Sequence, residues 1–359
     1  MPDRRHVLLG GLALAAAPAT GWAEAGNPAY LAAARVGPEA HALFGIDAAG
    51  RDVFRVPLPG RGHAAAAHPL RPEAVALARR PGTYALVLDC RSGRVAARLT
   101  APRGRHFQGH GAFSRDGSRL YTSENAYDLG TGRIGIWDAA GGYRRLGEVP
   151  SGGIGPHELL RLPGSDVLAV ANGGILTHPD SGRAKLNLAS MRPSLAYLSG
   201  DGDLLEQVEL PPGLARNSIR HLAARGDGLI GFAMQWQGAL GEPVPLLGLH
   251  RRGEAPRLLG LEPARQLRLR GYAGSVAFSG DGTGIAITAP RGGRAHVFAA
   301  ESGSLAAEIL RGDICGIAAG PAGFLATDGL GGVSRLSGAD AAPLARHGDR
   351  NWDNHLVAL

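Results

Sequence analysis

Of the 13 histidines in this 359-residue chain, five (His63, His110, His157, His221 and His355) fall at one place in a recurring phrase. There the His opens a short apolar strand that runs into a turn, as in His110-Gly-Ala-Phe-Ser-Arg-Asp-Gly. Ser275 and Cys315 hold the same place in two further copies, the first reading Ser275-Val-Ala-Phe-Ser-Gly-Asp-Gly. Imidazoles brought together on a rigid scaffold are neutral donors for a transition metal, and a thiolate is a soft one. The expected metal set is therefore His63, His110, His157, His221, His355 and Cys315, with iron or copper as the cofactor.

The strands that must position these residues follow from the repeat. Seven hairpins recur, each a strand, a Gly/Asp/Ala turn and a second strand, at Ala42–Arg55, Tyr84–Leu99, Ile134–Val149, Ser194–Leu210, Leu246–Leu259, Arg294–Leu310 and Gly332–Leu344. Between them lie further strand pairs, starting at 63, 110, 157, 221, 275 and 315, with a lone strand at 355; the spacings are 47, 47, 64, 54, 40 and 40. Four strands per unit of roughly 40 to 50 residues make a propeller blade, and two units are enlarged by loops. His355-Leu-Val-Ala-Leu has nothing after it, while Tyr30–Val36 and the first hairpin have no inner strand before them. Together they complete one blade and leave no open sheet edge. The expected fold is all-β: one seven-bladed β-propeller over residues 26–359, closed by the N-terminal strands pairing with the C-terminal strand.

The innermost strand of each blade lines the channel, so the aligned positions ring one mouth. The long segment Asn172–Pro193 belongs to the same face, too long for a tight turn and rich in donors. Arginines at 103, 105, 216, 220, 291 and 294 come from other loops of that face, and guanidinium forks suit carboxylate or phosphate. The expected ligand-binding set is His106, Glu124, Asn125, Glu158, Asn172, His178, Arg183, Lys185, Arg192, Arg220, Gln235, Arg291 and Asp353. Adjacent residues on a strand face opposite ways, so Glu158 is expected to point away from His157.

Composition narrows the function class. The net charge of +7 is almost wholly Arg, spread along the chain, with Lys185 the one lysine, so no basic block points to nucleic acid. Residues 1–25 read as an export signal: Arg4-Arg5, an apolar run from Val7 to Ala19, and Ala23-Glu24-Ala25 as a small-residue cleavage pattern. The paired arginines suggest the twin-arginine route, with Asp3 where Ser or Thr is usual, and hence a periplasmic protein folded before export. No other apolar stretch approaches the roughly 18 residues of a membrane span. Cys90 and Cys315 could pair in an oxidising compartment, yet two cysteines are not a disulfide framework. Walker, HExxH, GxSxG and CxxCH motifs are absent.

Several stretches carry a resemblance: Gly104-Arg-His-Phe-Gln-Gly-His-Gly-Ala-Phe-Ser, Ser151-Gly-Gly-Ile-Gly-Pro-His-Glu-Leu-Leu, the run from Ala171 to Leu188, and Trp352-Asp-Asn-His-Leu. They resemble the bacterial family called domain of unknown function 1513 over nearly the whole mature chain. The resemblance implies an exported, propeller-like protein whose genes lie beside imelysin-type and di-haem periplasmic proteins, and so an iron or metal role, with a monomeric chain. Three readings stay open. One is a non-enzymatic metal or anionic metal-complex binder. Another is a lactonase-like hydrolase or oxidoreductase using His157, Glu158 and Arg220. The third is a docking platform with exposed apolar tips such as Trp236. For each His taken alone a structural role is also open, because Gly62-His63, and Gly109-His110 ahead of Trp137-Asp138, look like the WD-repeat arrangement in which His hydrogen-bonds between strands.

Overall fold

The computed structural model describes residues 21–78 and 83–359. Most of the expected export signal lies outside the described residues. Its last five positions lie inside them, and Trp22–Ala25 forms a 3-10 turn packed on the blades, with the Trp22 indole N–H donating to the His68 carbonyl, 3.1 Å away. Trp22 is buried among Leu31, Leu43, Ala74 and Leu86, so the N-terminal segment is part of the core.

Among the described residues the strands form seven four-stranded antiparallel sheets. Six blades are continuous in sequence, spanning 62–100, 105–150, 156–209, 217–259, 275–310 and 314–346. The remaining blade takes Tyr30–Val36, Ala40–Ile46 and Asp52–Leu58 from the N-terminus and Arg350–Ala358 from the C-terminus as its inner strand. Tyr30 pairs with Ala358 and Val36 with Arg350, so the ring closes by hydrogen bonding between the two ends of the chain. All seven expected hairpins are present. A single helical turn at Pro263–Leu267, before the inner strand Ser275–Phe278, was not foreseen; it is capped by the Glu262 carboxylate accepting from the Ala264 and Arg265 N–H groups.

The blades stick together through apolar side chains on their faces, such as Phe107, Trp137 and Leu77 between the blades 62–100 and 105–150. Inner strands are rich in Ala and Gly, for example Gly62-His-Ala-Ala-Ala-Ala67, because seven strands converging on one axis leave little room for side chains.

A device not visible in the sequence sets the inner ring. Six of the seven inner strands are bulged at the aligned position: within 62–65, 107–111, 156–159, 219–221, 314–317 and 352–356, the inner strand carries one or two residues more than its partner. The seventh, Ser275–Phe278, pairs without a shift, and it is the one with neither His nor Cys there. Bulges break the two-residue alternation and re-aim a side chain. Here they turn the imidazoles onto the axis.

Candidate metal centre

The five aligned histidines meet. Ring centroids are 4.6 Å apart for His63 and His355 and for His110 and His355, 4.8 Å for His221 and His355, and 4.9 Å for His63 and His110, His110 and His157, and His157 and His221. Most of these rings meet edge to face or tilted, closing the channel with a plug of imidazole. Gly109 makes room for it: its φ is +100°, and a Cβ there would lie 2.5 Å from His63 Cδ2.

Two donor groups emerge. One is His110, Glu158, His221 and His355, the other His63, His110 and His157, and within each group one ligand atom per residue lies within 4.8 Å of the rest. Glu158 lies within the bulge at 156–159 and joins the first group: its Oε2 is 3.1 Å from His221 Nδ1 and its Oε1 3.9 Å from His110 Nδ1, while His157 also packs on both rings. Sequence reasoning put Glu158 among mouth ligands; its place is in the donor cluster. Strand alternation did not show the bulge that brings His110 and His221 to meet it.

The electrostatics favour an uncharged ring. Burial, with the positive field of Arg220, holds His221 down to about 3, and the same two causes, with the neighbouring imidazoles, hold His110 and His157 well below the ordinary His range. Burial pushes Glu158 up to about 7, opposed by His355 and by the Leu222 N–H that donates to its Oε2. A fifth of the Glu158 side chain remains open to the channel, so the carboxyl can exchange its proton with solvent. Neutral imidazole is the metal-binding form, and His110 Nε2 is buried without a hydrogen-bond partner. Three imidazoles and one carboxylate suit iron, copper or zinc. Bonds of about 2.1 Å to four tetrahedral donors set those donors about 3.4 Å apart, so an ion would draw the group inward by about 1 Å.

Two histidines outside the ring make hydrogen bonds of a structural kind. His68 bonds the carbonyl of Gly117 at 3.1 Å and accepts from the N–H groups of Leu70 and Arg71; His250 holds the Tyr197 hydroxyl at 2.7 Å. Cys315 does not join the ring. Its thiol lies between strands, 3.3 Å from the Asp353 carbonyl, and burial pushes it up to about 12, far from a thiolate. Both cysteines are free and buried.

The imidazole plug separates two cavities. The lower is a funnel bordered by His110, Glu158, His221, Ser275, His355 and the alanines 64 to 67. The upper, of about 270 Å³, is bordered by His63, His157, Arg183, Lys185, Arg220, Gln235, Trp236 and Arg291, and by Gln108, Tyr272 and Asn354. Of the expected ligand residues, Arg183, Lys185, Arg220, Gln235 and Arg291 are thus at the mouth. Gln108 and Tyr272 were missed: Gln108 lies two residues before the aligned His110 on the same strand, and Tyr272 three residues before the aligned Ser275, both outside the recurring phrase.

The other expected ligands brace the scaffold. Glu124 is fully buried in its blade, held by both Arg145 nitrogens at 2.8 and 2.9 Å and by the Thr122 hydroxyl at 2.8 Å. Asn125 donates to the Thr177 carbonyl and Asn172 to that of Ser151, pinning the ends of the long loop. His106 stacks on Tyr127 and His178 meets Tyr127 edge-on while facing Asp128. Asp353 pairs with Arg61 at 2.6 Å, and Arg192 is exposed outside the cavity lining. Arg105 and Arg294 are consumed by Glu148 and Glu308, while Arg216 lies over Trp236, which is buried with its indole N–H on the Ala239 carbonyl and so offers no exposed apolar tip.

Comparison with known proteins agrees with the architecture. A hydrazine synthase of Kuenenia stuttgartiensis is similar in structure at a TM-score of 0.59, with 12% identity, 87% of this chain and 90% of that one covered. A chain of a mitotic checkpoint complex is similar at 0.57, with 12% identity and 80% of each chain covered. Identities this low show a shared fold alone. Among curated protein sequences none matches this chain. No helix among the described residues is long and apolar enough to cross a membrane. Residues 56–359 match the family described as a protein of unknown function (DUF1513), and the chain belongs to that family.

Proposed function

We propose that this protein is an exported, periplasmic propeller that binds a transition metal of the iron or copper class at the channel axis and serves metal uptake. The observation that carries this reading is the convergence of His110, His221, His355 and Glu158 from four blades, with donor atoms within 4.8 Å of one another. The sheets hold the imidazoles in place, so little ordering is needed on binding. Glu158, protonated in the empty cluster, gives up its proton to become an anionic ligand, and the lower funnel is the path by which both proton and ion exchange. Imelysin-like and di-haem periplasmic proteins are the proposed partners, as donors or acceptors of the ion. The uptake reading leaves Glu158 as a ligand where a hydrolase would need it beside a substrate. The test is a competition titration of chelator-treated mature protein with Cu(II) and Fe(II). One ion per chain is expected, weakened at least 100-fold by His110→Ala with His221→Ala; equal affinity in that variant would refute the site.

A further inference from the structure

We infer that the upper cavity is a separate binding site for a small organic acid carrying two or three carboxylates. Four cationic side chains border it, Arg183 and Lys185 from the long loop, Arg220 from an inner strand and Arg291 from a third segment, and no Asp or Glu is in its lining. Charge of one sign around a concave site focuses its field on an incoming anion.

Size and shape distinguish a polycarboxylate from a lone phosphate. The cations enter from three parts of the chain around about 270 Å³, more space than one tetrahedral anion fills and enough for several carboxylates on a carbon skeleton. The walls suit such a skeleton. Trp236 and Tyr272 present rings, with Arg291 seated 4.2 Å over Tyr272. The Tyr272 hydroxyl accepts from Asn354 at 3.1 Å, which leaves its own O–H to donate to a carboxylate. Arg220 links the two sites, because its Nη1 is 3.4 Å from His157 Nδ1. The proposal extends the metal reading to a second ligand, but the cavity itself stands on the cations and does not require an ion in the ring.

Isothermal titration of chelator-treated mature protein with tricarballylate, succinate and inorganic phosphate tests it. Tricarballylate is expected to bind one to one, at least tenfold more tightly than phosphate. Arg183→Gln with Arg291→Gln, both exposed positions, is expected to weaken it at least tenfold, while Arg192→Gln, an exposed arginine of the same loop outside the lining, leaves it within twofold. No tricarballylate binding, or binding that the double variant does not change, overturns the site; phosphate binding as tightly overturns the polycarboxylate assignment. Tricarballylate binding in a protein that takes up no metal would refute the metal reading and leave this one standing.

Discussion

His221 Nδ1 lies 3.1 Å from Glu158 Oε2, so inner strands of two neighbouring blades are joined at the channel axis by an imidazole and a carboxyl that burial drives toward their neutral forms. Opposite pH dependences follow for the metal-free protein. With His110, His157 and His221 lowered, the unfolded chain near pH 5 to 6.5 holds protons that the folded ring refuses, and that share of stability is lost as pH falls. Glu158 is raised to about 7, so its share is present at low pH and is lost as pH rises from the ordinary Glu value toward 7. Three histidines outweigh one glutamate. Unfolding then takes up protons on balance, so stability falls as pH falls through this range, and Glu158→Gln steepens the fall. Urea midpoints at pH 5, 6 and 7 in chelator measure both slopes; a stability that rises toward acid would contradict the neutral ring.

Glu124 separates bracing from binding. Glu124→Ala takes the buried carboxylate from Arg145 and leaves that guanidinium to Glu148, at a cost of roughly 1–3 kcal/mol. Metal stoichiometry in the folded variant is expected at the wild-type value, since Arg145 and Thr122, and no ring histidine, hold that carboxylate. A normal melting temperature with lost metal would reverse the assignment.

Gly109→Ala tests the bulge. A side chain at φ +100° is strained by roughly 1–3 kcal/mol, and its Cβ falls on the His63 ring. The expected outcome is a lower melting temperature together with weaker metal binding, read in one titration series. His63 packs on the donors His110 and His355, so unchanged affinity would show that it does not position them.

Trp22 bears on where export processing cuts. A cut after Ala25 would strip from the core a side chain buried to 1% exposure, and Trp22→Ala is expected to cost about 3 kcal/mol. The mature N-terminus is therefore expected upstream of Trp22, and mass spectrometry of the exported protein reads it directly. A mature chain starting at Gly26 with wild-type stability would contradict this.

The blades were legible because turn residues recur: Asp-Gly after the inner strands and Gly-rich turns in the hairpins mark strand ends whatever the packing. The ring was legible at His63, His110, His157, His221 and His355 because duplication kept one residue type at one place. Cys315 misled because alignment gives the position of a Cα, and its thiol turns to the Asp353 carbonyl while the imidazoles turn to the axis. Glu124, Asn125 and Asn172 misled for a related reason. Polar residues at strand ends near a mouth look the same in sequence whether they face the channel or, as here, brace a blade or tie it to its neighbour's loop. Tyr272 and Gln108 carry no periodic signal, and only the closed ring brings them to the cavity.

The metal content of protein isolated natively from the periplasm tests the central claim most directly. Elemental analysis is expected to find one iron or copper per chain, reduced to background in His110→Ala with His221→Ala. Native protein free of bound metal, with the same content in that variant, would contradict it.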